Sequence, residues 1–298
     1  MKKTIVMYNP LSDSGNGGEN AIRLARSRGC DYSDLTQHGS FEKILRESAD
    51  GNEIIICGGD GTINRLANAF RDAGVPVPDG LLYYATGSGN DFLRDIGAKA
   101  DAGPVPLSEY LHSLPSVTVN GTERLFVNGV GYGIDGYCCE EGDRRRAAGE
   151  KKTNYTAIAL KGLFGAYEPR RATVVVDGRE YSFDNVWLAP VMNGRYFGGG
   201  MMPAPEQNRL DPEGKLTLML FSGRSRLATL LKFPKLFKGT HVSLKGCYLF
   251  TGDEIIVKYN KPTPLQIDGE TVSGVLECVC RSSGLRKRTE GKAPEGKE

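Results

Sequence analysis

The sequence predicts two domains, an α/β domain on a parallel sheet followed by a β-rich, mostly antiparallel, sandwich-like domain. Three observations predict this. The chain has 298 residues, about two domains at roughly 100–200 residues each. Strand-like and helix-like segments alternate through the first third. Past residue 115, Asn-Gly and Asp-Gly dipeptides between β-branched runs replace that alternation. The expected divisions are 1–115, 116–281 and a loose polar tail, 282–298.

In the first part, 4–8 is a β-branched run and reads as a strand. Helical spacing of Ile22, Leu24 and Ala25 follows in 19–27, and a second helix is expected over 41–47. Residues 53–57 are continuously apolar, as a strand covered on both faces requires. Ile63, Leu66, Ala67 and Phe70 then form one helical stripe over 62–72. A strand at 81–85 and a helix at 91–96 complete the alternation.

In the second part, Asn120-Gly121 joins 116–119 to 124–127, and Asp177-Gly178 joins 173–176 to 179–183. Further strands are expected at 186–191, 215–221, 254–259, 263–267 and 275–280. Helices are expected near 153–164 and 224–237.

Composition narrows the function classes. Lys plus Arg is 38 and Asp plus Glu is 36, a net charge of +2, which argues against a dedicated nucleic-acid binder. No apolar run reaches the ~18 residues of a membrane span, and the apolar stretch near the N-terminus is too short for a secretion signal. The seven Cys contain no CxxC and read as reduced thiols of a cytoplasmic protein. The three His, at 38, 112 and 241, are too dispersed for a His-rich zinc site or a His-based triad.

Glycine is abundant, 39 residues, and it clusters. The strongest cluster is Gly58-Gly59-Asp60-Gly61-Thr62, between a strand and a helix start, where backbone N–H groups and a helix dipole meet an anion. An acid inside such a loop implies a metal or metal-bound water between it and the phosphate. A capping turn with Thr62 as N-cap is the plainer alternative. A second loop, Gly87-Ser88-Gly89-Asn90-Asp91, follows the next strand, and Asn9-Pro10 follows the first. In a parallel sheet all three fall on the carboxyl rim, where they compose a nucleotide site. No GxxxxGK[ST] loop is present. The GxGxxG match at Gly131, Gly133 and Gly136 lies in the β-rich half and reads as close packing against the other domain.

Gly58 to Asn64 (GGDGTIN) followed by Gly87 to Phe92 (GSGNDF) resembles the diacylglycerol kinase catalytic family, which includes bacterial soluble lipid kinases and is related to sphingosine and ceramide kinases. Phe126-Val127-Asn128, the glycines near 198–200 with Pro203 and Pro205, Glu213-Gly214-Lys215-Leu216 and Asp268-Gly269-Glu270 resemble its later motifs in order. The resemblance implies an ATP- and Mg²⁺-dependent transfer of the γ-phosphate to diacylglycerol or a related lipid alcohol. It implies that Asn9, Pro10, Thr36, Gly58, Gly59, Asp60, Gly61, Thr62, Asn64, Gly87, Ser88, Asn90 and Asp91 hold the nucleotide. It makes Asp60 and Asp91 organisers of Mg²⁺ and water, and Glu270 the base on the lipid hydroxyl. It places a structural metal on Glu213, which stands where the family has Asp, with the carbonyls of Leu210 and Lys215. A kinase of a soluble acceptor with the same GGDG signature, NAD kinase-like, and a non-catalytic nucleotide- or lipid-binding protein stay open as alternatives.

The expected partner is a lipid at a membrane surface, with no nucleic acid, and a homo-oligomer is compatible with the sequence. The stretch 224–245 interleaves Arg224, Arg226, Lys232, Lys235, Lys238 and Lys245 with apolar residues and holds no acid. That pattern suits peripheral contact with the inner membrane face, and it also suits an ordinary amphipathic surface helix, which Pro234 would kink.

Overall fold

A computed structural model describes residues 2–12, 16–87, 89–99, 103–150 and 153–290. It divides into two compact units, Met1–Ser113 and Leu114–Glu298.

The first unit runs β1 (Thr4–Tyr8), α1 (Gly17–Arg28), β2 (Asp31–Asp34), α2 (Ser40–Ala49), β3 (Glu53–Gly58), α3 (Asp60–Asp72), β4 (Leu81–Ala85), α4 (Asp91–Asp95), β5 (Val105–Pro106) and α5 (Ser108–Leu111). The sheet order is β2-β1-β3-β4-β5, parallel except for β5, which pairs antiparallel with β4. Ile54, Ile55 and Ile56 of β3 are all buried, as a central strand covered on both faces requires. β2 is a polar edge strand, Asp-Tyr-Ser-Asp, with no apolar pattern to announce it.

The second unit runs β6 (Ser116–Val119), β7 (Thr122–Leu125), β8 (Gly129–Tyr132), α6 (Ile134–Ala147), α7 (Tyr155–Lys161), a π-turn (Gly162–Ala166), β9 (Arg170–Val176), β10 (Arg179–Leu188), β11 (Val191–Met192), β12 (Leu216–Ser222), α8 (Arg226–Leu236), β13 (Cys247–Gly252), β14 (Glu254–Ile267), β15 (Glu270–Arg281) and α9 (Ser283–Glu290). The sheet order is β7-β6-β15-β14-β8-β11-β12-β10-β9. It closes on itself, because the first half of β14 pairs with β9 and its last residues pair with β8. The core inside this closure includes Val130, Val174, Val191, Leu218, Val257 and Leu265. Cys278 and Cys280, two apart on β15, share one face and are both buried in that core. Burial pushes the Cys57 thiol up to about 12 and the Cys247 thiol up to about 11, so neither is a thiolate nucleophile.

Several expectations are corrected. The two strands expected at 179–183 and 186–191 are mostly one, β10, running through a bulge where Asn185 has φ 54°. The two expected at 254–259 and 263–267 are the single bulged β14. The stretch expected as a loose tail contains α9, and residues 291–298 lie outside the described ones. The GxGxxG glycines are packed tightly within their own unit. A Cβ on Gly133 would meet the Trp187 carbonyl at 2.6 Å, and one on Gly136 would meet the Pro264 carbonyl at 2.1 Å. These glycines let α6 lie tightly on the sheet.

Candidate active site

The strand order of the first unit reverses between β1 and β3, and ligands of such sheets bind at the carboxyl ends beside the reversal. Because β1 to β4 are parallel, Asn9, Pro10, Thr36, Gly58 to Thr62 and Gly87 all leave the sheet on that one rim. Side chains stitch the loops together. Asn9 Nδ2 donates to Thr62 Oγ1 at 3.0 Å, across the reversal, and Asn9 Oδ1 accepts from Leu11 N–H at 3.0 Å. Ser12 Oγ donates to the Asn9 carbonyl and also bonds Thr86 Oγ1. Gly59 and Gly87 touch backbone to backbone, so that a Cβ on Gly87 would lie 2.6 Å from Gly59 Cα. A Cβ at Gly61 would meet only open space, which leaves its backbone accessible.

Helix α3 begins at Asp60, with Gly59 extended before it. Thr62 is therefore inside the first turn and is not the cap; its N–H donates to the Gly59 carbonyl at 2.9 Å. The amides of Gly59, Asp60 and Gly61 precede that first intrahelical donor, at the positive end of the helix.

The Asp60 carboxylate has a bracing role that the motif does not disclose. Its Oδ2 accepts from Asp91 N–H and its Oδ1 from Phe92 N–H, both at 3.0 Å. It therefore caps the start of α4 and ties the β3 loop to the β4 loop. Asp91 is buried, and its Oδ1 accepts from Arg94 Nη1 at 2.9 Å. These commitments do not suit direct metal ligation by either carboxylate, and no group of three or more His, Cys, Asp or Glu able to hold a metal ion occurs among the described residues. They do fit a hydrated Mg²⁺. Each Asp60 oxygen keeps a second lone pair for a metal-bound water, and Mg²⁺ retains waters readily. Asn90, at φ 50°, adds a buried Oδ1 with no hydrogen-bond partner among the described residues, an acceptor that a bound water or a ligand hydroxyl would satisfy. Thr36 is exposed, in a turn where its N–H and Oγ1 both donate to Asp34 Oδ1. Asn64 is buried in α3 and receives Asn68 Nδ2 on its carbonyl and its side-chain oxygen. Ser88 lies outside the described residues.

In the second unit, Asp268 (φ 47°) and Gly269 (φ 92°) make the two-residue turn between β14 and β15. The Asp268 carboxylate accepts three backbone N–H groups, from Val127 at 2.6 Å, Asn128 at 2.8 Å and Gly129 at 3.0 Å. Asn193 and Arg209 reinforce the same segment. Asn193 Nδ2 donates to the Val127 carbonyl, and Arg209 Nη2 donates to Asn128 Oδ1 at 2.9 Å. Glu270 follows the turn with its side chain 41% exposed, 3.8 Å from Arg124 Nη1. Asp268 is thus spent on the backbone, and Glu270 is the carboxylate of this hairpin with an accessible side chain.

The structural metal expected on Leu210, Glu213 and Lys215 does not fit the turn as it stands. The Lys215 ammonium pairs with the Glu213 carboxylate, and the Lys215 carbonyl accepts from Gln207 Nε2 at 2.9 Å. The turn is closed by Asp211, whose Oδ1 accepts from Glu213 N–H and whose carbonyl accepts from Gly214 N–H. A side-chain cation occupies the carboxylate that a metal would need.

The second unit also holds a small apolar pocket of about 30 Å³, lined by Ile134, Leu163, Trp187, Met219, Phe233 and His241 among others. His241 is 2% exposed, and its Nε2 lies 3.0 Å from the Pro203 carbonyl. Burial lowers its pKa, against the opposing pull of the Pro203 and Lys235 carbonyls, so the ring is held neutral.

Two family models match the chain: the diacylglycerol kinase catalytic domain over residues 3–113, and the YegS C-terminal NAD kinase beta sandwich-like domain over 128–280. Rim, hairpin and closed sheet are therefore the parts of a lipid kinase fold, and the chain belongs to the diacylglycerol kinase catalytic family. It is similar to the diacylglycerol kinase of Mycobacterium tuberculosis, 26% identical over 256 residues that cover 81% of this chain and 80% of that one. Its fold is similar to the crystal structure of a diacylglycerol kinase from Bacillus anthracis, with a TM-score of 0.59 at 18% identity and 95% of both chains covered.

Proposed function

We propose that the protein transfers the γ-phosphate of ATP to the hydroxyl of diacylglycerol or a related lipid alcohol. The observation that carries the acceptor class is the match of residues 3–113 to the diacylglycerol kinase catalytic domain, and the small pocket of the second unit adds an apolar lining in Leu163, Phe233 and Leu236. The glycine rim of the first unit supports ATP as donor, through backbone amides at the start of α3. Asn9, Asp60 and Thr62 hold that rim in one shape before the nucleotide arrives. A bound Mg²⁺ would supply charge neutralisation there, held through water by Asp60 and Asn90. Glu270 accepts the hydroxyl proton as the alcohol oxygen bonds to the γ-phosphorus and the bond to the ADP oxygen breaks.

The test is incubation with ATP, Mg²⁺ and a total lipid extract, read by mass spectrometry, beside an arm offering NAD. A phosphorylated lipid alcohol is expected and phosphorylated NAD is not. Glu270→Gln is expected to lower kcat by roughly 10²–10⁴-fold with nucleotide affinity nearly unchanged. Transfer to NAD alone overturns the reading, and equal losses in kcat and ATP binding remove Glu270 as the base.

A further inference from the structure

We infer that the outer face of the π-turn and α8 is a docking surface for anionic lipid bilayers. Both elements are apolar on two sides. Inward, Leu163 from the π-turn, and Leu230, Phe233 and Leu236 from α8, join a single core, together with Ile158 of α7. Outward, Phe164 is 73% exposed, Leu227 65% and Leu231 69%. Leu227 and Leu231 are four apart and share one face of the helix. Phe164 is turned out where Gly165, at φ 141° inside the π-turn, breaks the helical path. The two ridges are fastened side by side. Arg226, at the start of α8, lays its guanidinium over Trp187 and donates to the Tyr167 carbonyl at 2.9 Å and the Leu163 carbonyl at 3.4 Å. Contiguous exposed apolar side chains on a soluble-type fold mark an interaction surface.

Charge identifies the occupant. The chain has no Asp or Glu from 153 to 167, nor from 224 to 252. Lys161, Arg224, Lys235, Lys238 and Lys245 are exposed around the ridges, and no ion pair to any of them occurs among the described residues. Apolar side chains ringed by unpaired cations fit an anionic lipid surface, where the rings and leucines enter the acyl boundary and the lysines meet headgroup phosphates. A second copy set symmetrically against this face would bring cations against cations. The same elements wall the apolar cavity through Leu163, Phe233 and Leu236, so the bilayer contact and the cavity are two sides of one layer.

The experiment is co-sedimentation of the full chain with vesicles of phosphatidylcholine alone and of phosphatidylcholine with phosphatidylglycerol, without ATP, so that its outcome is independent of any kinase activity. Binding is expected only to the anionic vesicles and is expected to weaken as salt is raised. Lys235→Glu with Lys238→Glu is expected to weaken binding by about tenfold or more. Phe164→Glu with Leu231→Glu is expected to abolish it while the melting temperature stays at the wild-type value. Equal binding to neutral vesicles, indifference to either double variant, or a concentration-dependent dimer that Phe164→Glu dissolves would each overturn the inference.

Discussion

Asp60 and Asp268 sit in look-alike settings, an acid beside glycine at the end of a strand, one in each unit. Both spend their carboxylates on backbone N–H groups brought from elsewhere in the chain. The difference lies in what they brace. Asp60 caps a five-residue helix, α4, and holds two rim loops in register. Asp268 gathers three consecutive amides at the entry to β8, in a segment where Val127 and Asn128 are buried. One brace shapes a site at the rim of a sheet, and the other anchors the core of a closed sheet. An acidic motif thus tells little about its role until the partner amides are known.

That comparison can be broken by mutation. Asp268→Ala leaves three buried amides unpaired and is expected to cost about 3 kcal/mol or more, at roughly 1–3 kcal/mol for each unmet donor. The shift in the denaturant midpoint at constant slope checks it, and a loss under about 1 kcal/mol would mean that water replaces the carboxylate. Asp60→Ala removes the acceptor of two amides, those of the buried Asp91 and Phe92. It is expected to cost about 2 kcal/mol or more of stability and to reduce turnover more than tenfold, about 1.4 kcal/mol of transition-state stabilisation. A variant retaining more than about a tenth of wild-type kcat removes Asp60 from the functional rim.

Two smaller effects sharpen the contrast within the second unit. Glu213 is braced by a side-chain cation, Lys215, at an exposed turn. Lys215→Met is expected to cost less than about 1 kcal/mol, and the wild-type melting temperature is expected to be the same in Mg²⁺ and in EDTA. A wild-type protein that melts higher in Mg²⁺ has a metal at this turn after all. His241 is held neutral by burial, so its folded pKa lies below the ordinary 6.5. As pH falls through 6.5, the unfolded chain takes up a proton that the folded chain resists, and stability declines. His241→Leu is expected to flatten that acid limb in melting curves collected across the interval, and an unchanged slope would mean the ring titrates freely.

The parallel sheet and its rim were legible because β1, β3 and β4 are short apolar runs that lead into glycine or Asn-Pro. The hairpins at Asn120-Gly121 and Asp177-Gly178 were legible because such turns need positive φ at both positions, and these four residues have it. Several elements were not legible, β2, α6 and β13 among them. β2 is a polar edge strand. α6, with Cys138-Cys139 followed by a charged run, has no long apolar stripe, and its inward face combines Ile134 and Cys138 with Gly136 and Gly142. β13 is held by pairing with β12 and keeps Tyr248 and Leu249 exposed. The rim residues emerged from local sequence, but the bonds of Asp60 did not, because its amides lie about thirty positions on. Those of Asp268 lie about 140 positions back, beyond the reach of any local pattern.

The closing of the second sheet by β14 has a consequence for how the chain is made. Strands β8 to β12 come off the ribosome first and form an arc with two unsatisfied edges, β8 and β9. Both edges are capped by the same late segment, with Ala172 meeting Tyr259 at one and Val130 meeting Ile267 at the other. Until residue 267 has emerged, the nascent protein carries two open strand edges of the kind that pair with other chains. The risk of misassembly during synthesis is concentrated in that interval, and a pause or truncation upstream of β14 strands the arc open.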